Sequence, residues 1–167
     1  PATSGTGKYK IDAGSATTIF QGGAVSSTAG YIVEGQGTAD NPMVGVLNGI
    51  FYNAATTLKP TFSNHYVQVT PANSEDIDAF VFDNPQQQYV VATDDAAAQS
   101  LYLETFDMNA SAGSTTTGKS SSTLDIGDTS NDAAAFRLLR SAEDPENDEN
   151  AAFRSVVVCL NLIELQS

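Results

Sequence analysis

The sequence predicts an all-β protein: a single antiparallel β-barrel or sandwich with one short helix, an extended N-terminal arm and a long surface loop. Three observations predict it. Short runs of β-branched and aromatic residues recur along the chain, Pro, Gly, Asn and Asp punctuate them, and helical periodicity is scarce.

The first residues are small, polar and glycine-bearing around one island, Lys8-Tyr9-Lys10-Ile11. Residues 1–14 therefore read as an extended arm, either a frayed terminus or a strap that orders on a neighbour, ahead of one β domain over 15–167. Strands are expected at 17–20, 23–26, 30–34, 43–52, 66–70, 78–83, 88–93, 101–105, 135–141 and 155–165. Several alternate with period two. In Tyr66-Val67-Gln68-Val69-Thr70 the two valines share one face and the other three residues share the opposite one. The last run is apolar on both faces, with Val156, Val158, Leu160 and Leu162 opposite Val157, Cys159, Ile163 and Leu165. It should lie centrally or be covered by another subunit.

Five prolines separate these runs, at Pro42, Pro60, Pro71, Pro85 and Pro145, and read as turns because proline cannot donate to a central ladder. Thr93-Asp94-Asp95 ahead of Ala96, Ala97 and Ala98 is an acidic helix start, which places the short helix near 94–100. Residues 106–122 are dense in Ser, Thr and Gly and read as the long surface loop, and 142–150 as an acidic turn.

At 167 residues the chain fits one domain. A domain of that size buries roughly 70% of its unfolded surface. Its core is lean, since Leu, Ile, Val and Phe sum to only 37 residues. Twenty Asp and Glu against seven Lys and Arg give a net charge of −13. Nucleic-acid binding is excluded on that balance, because the bases are scattered and form no stripe to neutralise phosphates. No apolar run reaches the ~18 residues that a membrane helix needs. The chain opens at Pro1, as after removal of an initiator Met, and carries no charged segment followed by an apolar one, which points to the cytosol. One cysteine, Cys159, supports no disulfide framework and reads as a small buried hydrophobe.

Reactive chemistry is sparse: one His, one Cys and no Trp, while Ala, Ser and Thr fill 55 positions. His65 has no second histidine with which to share a metal. Gly113-Ser114-Thr115-Thr116-Thr117-Gly118-Lys119-Ser120 satisfies the phosphate-loop pattern. That chemistry needs a hydrophobic strand before the loop and a helix starting at the lysine, and neither flank qualifies. Glu143, Asp144, Glu146, Asp148 and Glu149 lack the spacing of a calcium loop. Glu75, Asp76 and Asp78 suggest paired carboxylates, but without tryptophan only tyrosine could supply much of a sugar platform. No catalytic residue, cofactor or metal ligand is assigned, and the protein is expected to work through its surface.

Taken in order, several stretches resemble the decoration or cement proteins of tailed bacteriophages, which bind assembled capsids. They are residues 15–25 (SATTIFQGGAV), 44–52 (VGVLNGIFY), 79–85 (AFVFDNP), 113–118 (GSTTTG), 136–140 (FRLLR) and 156–161 (VVVCLN). The resemblance implies a non-enzymatic virion protein whose partner is the major capsid protein. It also treats the GSTTTG segment as an ordinary loop. An acidic protein inside the head would face packed DNA, so the outer capsid surface is the expected location, with the host cytoplasm as its place during assembly. A homo-oligomer is expected, a trimer being favoured over a dimer. The arm residues Lys8, Tyr9, Lys10 and Ile11 are the candidate capsid contact. The alternative is a phage tail or adhesion module that binds a cell-surface glycan and exposes aromatics around a groove.

Overall fold

A computed structural model describes residues 5–35, 42–110, 113–127, 134–148 and 150–161. Twelve strands run in chain order: β1 Gly7–Ile11, β2 Ala24–Thr28, β3 Tyr31–Glu34, β4 Met43–Asn53, β5 Pro60–Ser63, β6 Ile77–Phe82, β7 Gln88–Ala92, β8 Thr105–Phe106, β9 Met108–Asn109, β10 Thr123–Leu124, β11 Phe136–Ser141 and β12 Ser155–Leu160. The first sheet has the order β1-β6-β4-β2-β3, with β5 added to the far half of β4. The second has the order β7-β12-β11-β8, and β9 and β10 form a small ribbon. Every pairing within the sheets is antiparallel, so the all-β antiparallel expectation holds. The first sheet curls until β1 and β3 touch, but no ladder joins them, so the architecture is a sandwich and not a closed barrel.

Alternation explains which side chains go inward. On β6, Ile77, Ala79 and Val81 are fully buried while Asp78, Phe80 and Phe82 take the other face. The first three join Ile11, Val25, Ile32, Val44, Leu47 and Ile50 in a core under the concave side of the first sheet. A second core holds Phe106, Leu124, Phe136, Leu138, Val156 and Val158, and Ala24 and Met43 reach it from the first sheet. Gly45 lets β4 and β6 approach: a Cβ there would run into the Phe82 carbonyl.

Several expectations are corrected. Residues 17–20 and 66–70 are not strands; they meet only at Ile19 and Tyr66, whose backbones exchange two hydrogen bonds of 2.9 and 2.8 Å. Beyond that bridge the segment gains one more backbone bond, from the Ala55 N–H to the Thr70 carbonyl at 3.1 Å, and these isolated contacts do not build a ladder. Of the expected arm, Gly7–Ile11 is β1, paired in register with β6, and Ile11 is fully buried. The helix near 94–100 reduces to one 3₁₀ turn, Gln99–Leu101. Its two acids are spent otherwise: Asp95 accepts the Ala96 N–H at 2.7 Å and Asp94 the Ile126 N–H at 2.9 Å. The strand expected at 101–105 shrinks to Thr105–Phe106, β9 falls inside the expected loop, and β10 follows directly after it. Residues 162–165 of the expected last strand lie outside the described residues.

Buried Arg154 had no forecast role. Its Nη1 donates to the Ala97 carbonyl at 2.7 Å and its Nη2 to the Tyr102 hydroxyl at 2.8 Å, which ties the 94–102 loop to the start of β12. Cys159 is half-buried, not fully enclosed, and burial pushes its thiol up from the ordinary value. Among the described residues, no helix is long and apolar enough to cross a membrane.

Candidate interaction face

The candidate residues of β1 divide by period two. Lys8 and Lys10 point away from the core, and Tyr9 and Ile11 point toward it, with the Tyr9 hydroxyl donating to Asp83 at 2.7 Å. Ile11 is therefore unavailable for contact. Both lysines close on one carboxylate, Asp78 of β6, at 2.7 and 2.6 Å. Burial opposes ionisation of Asp78, but the hydrogen bonds from Lys10 and Lys8 outweigh it and hold its carboxyl below the usual range. The same hydrogen bond raises the Lys10 ammonium above its ordinary value.

Register then builds an aromatic patch beside this cluster. Lys8 stands opposite Phe80, Phe51 of β4 opposite Asp78, and Phe62 of β5 opposite Phe51. Phe51 and Phe62 meet with ring centroids 4.8 Å apart, tilted at 50°, and Phe62 and Phe80 stack at 6.2 Å. Gly49 lies opposite Phe80 and presents no side chain to separate that ring from Phe62. The result is a shallow groove of about 520 Å³ floored by Gly49. Phe62 is 74% exposed. Burying such a ring under a partner is worth ~1.5–3 kcal/mol.

The groove's polar rim is largely committed. Asn64 donates to the Thr117 carbonyl at 2.8 Å and its Oδ1 lies 2.9 Å from His65 Nδ1, while the Ser63 hydroxyl donates to the His65 carbonyl at 2.7 Å. His65 itself stacks on Phe20 with centroids 5.8 Å apart. Among the described residues no three His, Cys, Asp or Glu side chains gather as a metal-binding group.

The phosphate-loop pattern folds into a tight turn. The Ser114 N–H donates to the Lys119 carbonyl at 3.0 Å and the Gly118 N–H to the Ser114 carbonyl at 2.6 Å, with Gly118 at φ +72°. Lys119 then bridges Gln21, and extended chain leads on to β10, so no helix starts at the lysine. The acidic turn is organised by Asn147, whose side chain bonds the Ser155 carbonyl at 2.8 Å and the Ser155 N–H at 2.9 Å. A cavity of about 360 Å³ lies between the sheets, walled by Val46, Phe82, Val91, Met108, Phe136 and Val158. Tyr89 is the ionisable group on its wall, and burial pushes its hydroxyl up to about 12.

The phenylalanine patch was missed at the sequence level. A trace of it existed: Phe62 is a lone aromatic in the polar run Thr61-Phe62-Ser63 after Pro60. Comparison with protein families, curated proteins and solved structures finds no match to this chain.

Proposed function

We propose that this is a non-enzymatic virion structural protein, a capsid decoration or cement protein, that seats the Phe51–Phe62–Phe80 face on the major capsid protein. The carrying observation is the 74% exposure of Phe62 within a contiguous aromatic patch, flanked by Lys8 and Lys10. Apolar rings at the centre with charged groups at the rim is the anatomy of a protein–protein contact. The two lysines sit among Asp78, Asp76 and Glu75, so the rim of the patch carries both signs of charge, which gives docking an orientation. The net charge of −13 supports the outer surface of the head, away from packed DNA, after passage through the host cytoplasm. Several copies around a symmetry axis, a trimer first among the options, would gain avidity from weak individual contacts.

The test uses capsids stripped of this protein and re-decorated with the wild type or with Phe62→Ser. Wild type should reoccupy the exterior in electron micrographs, and the variant, with unchanged folding, should lose at least tenfold in affinity. Equal occupancy by both proteins rejects the face, and no occupancy by the wild type rejects the capsid.

One observation favours a second reading, a glycan-binding tail or adhesion module: exposed aromatics do border a groove. Against it, Ser63 and Asn64 are engaged inside the protein, and sugar hydroxyls need hydrogen-bonding partners of that kind. Binding to a glycan panel that Phe62→Ser abolishes would favour this reading over the capsid.

A further inference from the structure

A second surface lies at the edge of the other sheet. The first sheet's outer strands are protected: β1 has Lys8 and Lys10, β3 is four residues long and lies against β1, and β5 begins at Pro60. At one edge of the second sheet β8 is only two residues long. At its other edge β7 reads Gln88-Tyr89-Val90-Val91-Ala92, with no charge, no proline and no bulge in its pairing to β12. Val90 is 67% exposed in the middle of it.

The direction of the β7 backbone groups follows from the ladder. The Thr93 N–H donates to the Arg154 carbonyl at 2.9 Å, one step beyond the Ala92–Ser155 pair. Pairs alternate in an antiparallel ladder, so Ala92, Val90 and Gln88 turn their N–H and C=O groups away from β12. Three bonds agree with that parity. The Ser155 carbonyl accepts from Ala142 on the opposite side, the Asp94 N–H reaches the Leu124 carbonyl, and the Gln88 carbonyl takes only the Gln87 side chain. The parallel bridge between Thr93 and Leu124 engages the Ala92 carbonyl with the Leu124 N–H, so β10 covers that end of the edge and Val90 is the residue that turns its N–H and C=O into open space.

Beyond them lies a slot of about 620 Å³, closed on its far side by Lys119 to Thr123 and bordered by Phe153, itself 68% exposed. Its lining holds one lysine and no carboxylate, in a chain with 20 acids. The far wall runs parallel to β7, since Thr93 and Leu124 form a parallel bridge, so Lys119 lies toward the start of β7. A strand entering antiparallel to β7 would bring its C-terminal end to Lys119.

We infer that this slot is a strand-addition site for an extended segment of a partner protein, apolar at alternate positions and acidic at its C-terminal end. The outward N–H and C=O of Val90 supply the ladder, Val90 and Phe153 take the apolar side chains, and Lys119 takes the carboxylate. The site is independent of the phenylalanine face.

The probe is a six-residue peptide alternating threonine and valine and ending in aspartate, titrated to millimolar concentration against the full chain and followed by backbone amide shifts. Shifts at Val90, Ala92 and Lys119 are expected. Val90→Pro deletes an outward N–H, a substitution that sheet edges tolerate, and should abolish binding with the amide pattern of β12 retained. Lys119→Glu, on an exposed loop, should weaken binding at least tenfold, while Phe62→Ser should leave it unchanged. Absence of shifts in the wild type, or equal binding by Lys119→Glu, overturns the inference. So does pairing of β7 with a second copy, seen as a dimer in light scattering that excludes the peptide.

Discussion

The Tyr89 hydroxyl donates to the Phe82 carbonyl at 2.9 Å, and this bond joins the second sheet to the first beside the inter-sheet cavity. Phe82 is also the residue whose carbonyl a Cβ at position 45 would strike, so this peptide group lies where β4, β6 and β7 come together.

Tyr89→Phe should therefore cost about 1 kcal/mol, the net worth of one such bond. The cost depends on pH in a defined direction. Burial first, and the Asp83 charge second, raise the Tyr89 hydroxyl to about 12, so its contribution is complete below the unfolded value near 10 and is lost as pH rises toward 12. Denaturant melts at pH 7, 10 and 11.5 should show the gap between wild type and variant closing over that interval. A constant gap would mean that Tyr89 ionises no differently in the folded protein.

The Lys8–Asp78–Lys10 cluster should respond in acid. The folded Asp78 carboxyl sits below its usual range, so its stabilisation is present above the unfolded value near 3.9 and disappears as pH falls through the lower folded value. The lysines are half-exposed, and such pairs are worth ~0–1 kcal/mol. Asp78→Asn should lower the melting temperature slightly at pH 6, and the difference should vanish in strong acid. High salt should shrink it at pH 6 as well.

Removing residues 1–14 should destabilise the domain, because β1 carries fully buried Ile11 and covers the edge of β6. Ile11→Ala alone should cost about 2–5 kcal/mol, read as a fall in the denaturant midpoint. A truncated protein that melted like the full chain would show β1 to be dispensable. The arm is thus a poor handle on capsid contact, and Phe62 is a better one.

Much of the sheet structure was legible before any coordinates. β7, β11 and β12 fall within runs marked by β-branched and aromatic residues, β4 and β6 match such runs to within one residue, and nearby prolines and asparagines mark the turns. β1 had the same alternation in Lys8-Tyr9-Lys10-Ile11, but its brevity and polar flanks made it read as arm. The opposite error at 66–70 has the same root: alternation states that a segment could pair, and only a neighbour at ladder distance decides whether it does.

Composition and local pattern alone determined the antiparallel β class, the acidity and the shortage of reactive side chains, because these depend on residue types and on spacing within a few positions. The tertiary fold decided the surfaces. Phe51, Phe62 and Phe80 come from three strands, and β7 and Lys119 from segments far apart in the chain, so each grouping arises from cross-strand register. Register is set by which faces bury together, and a one-residue slip would send every one of those rings to the other side.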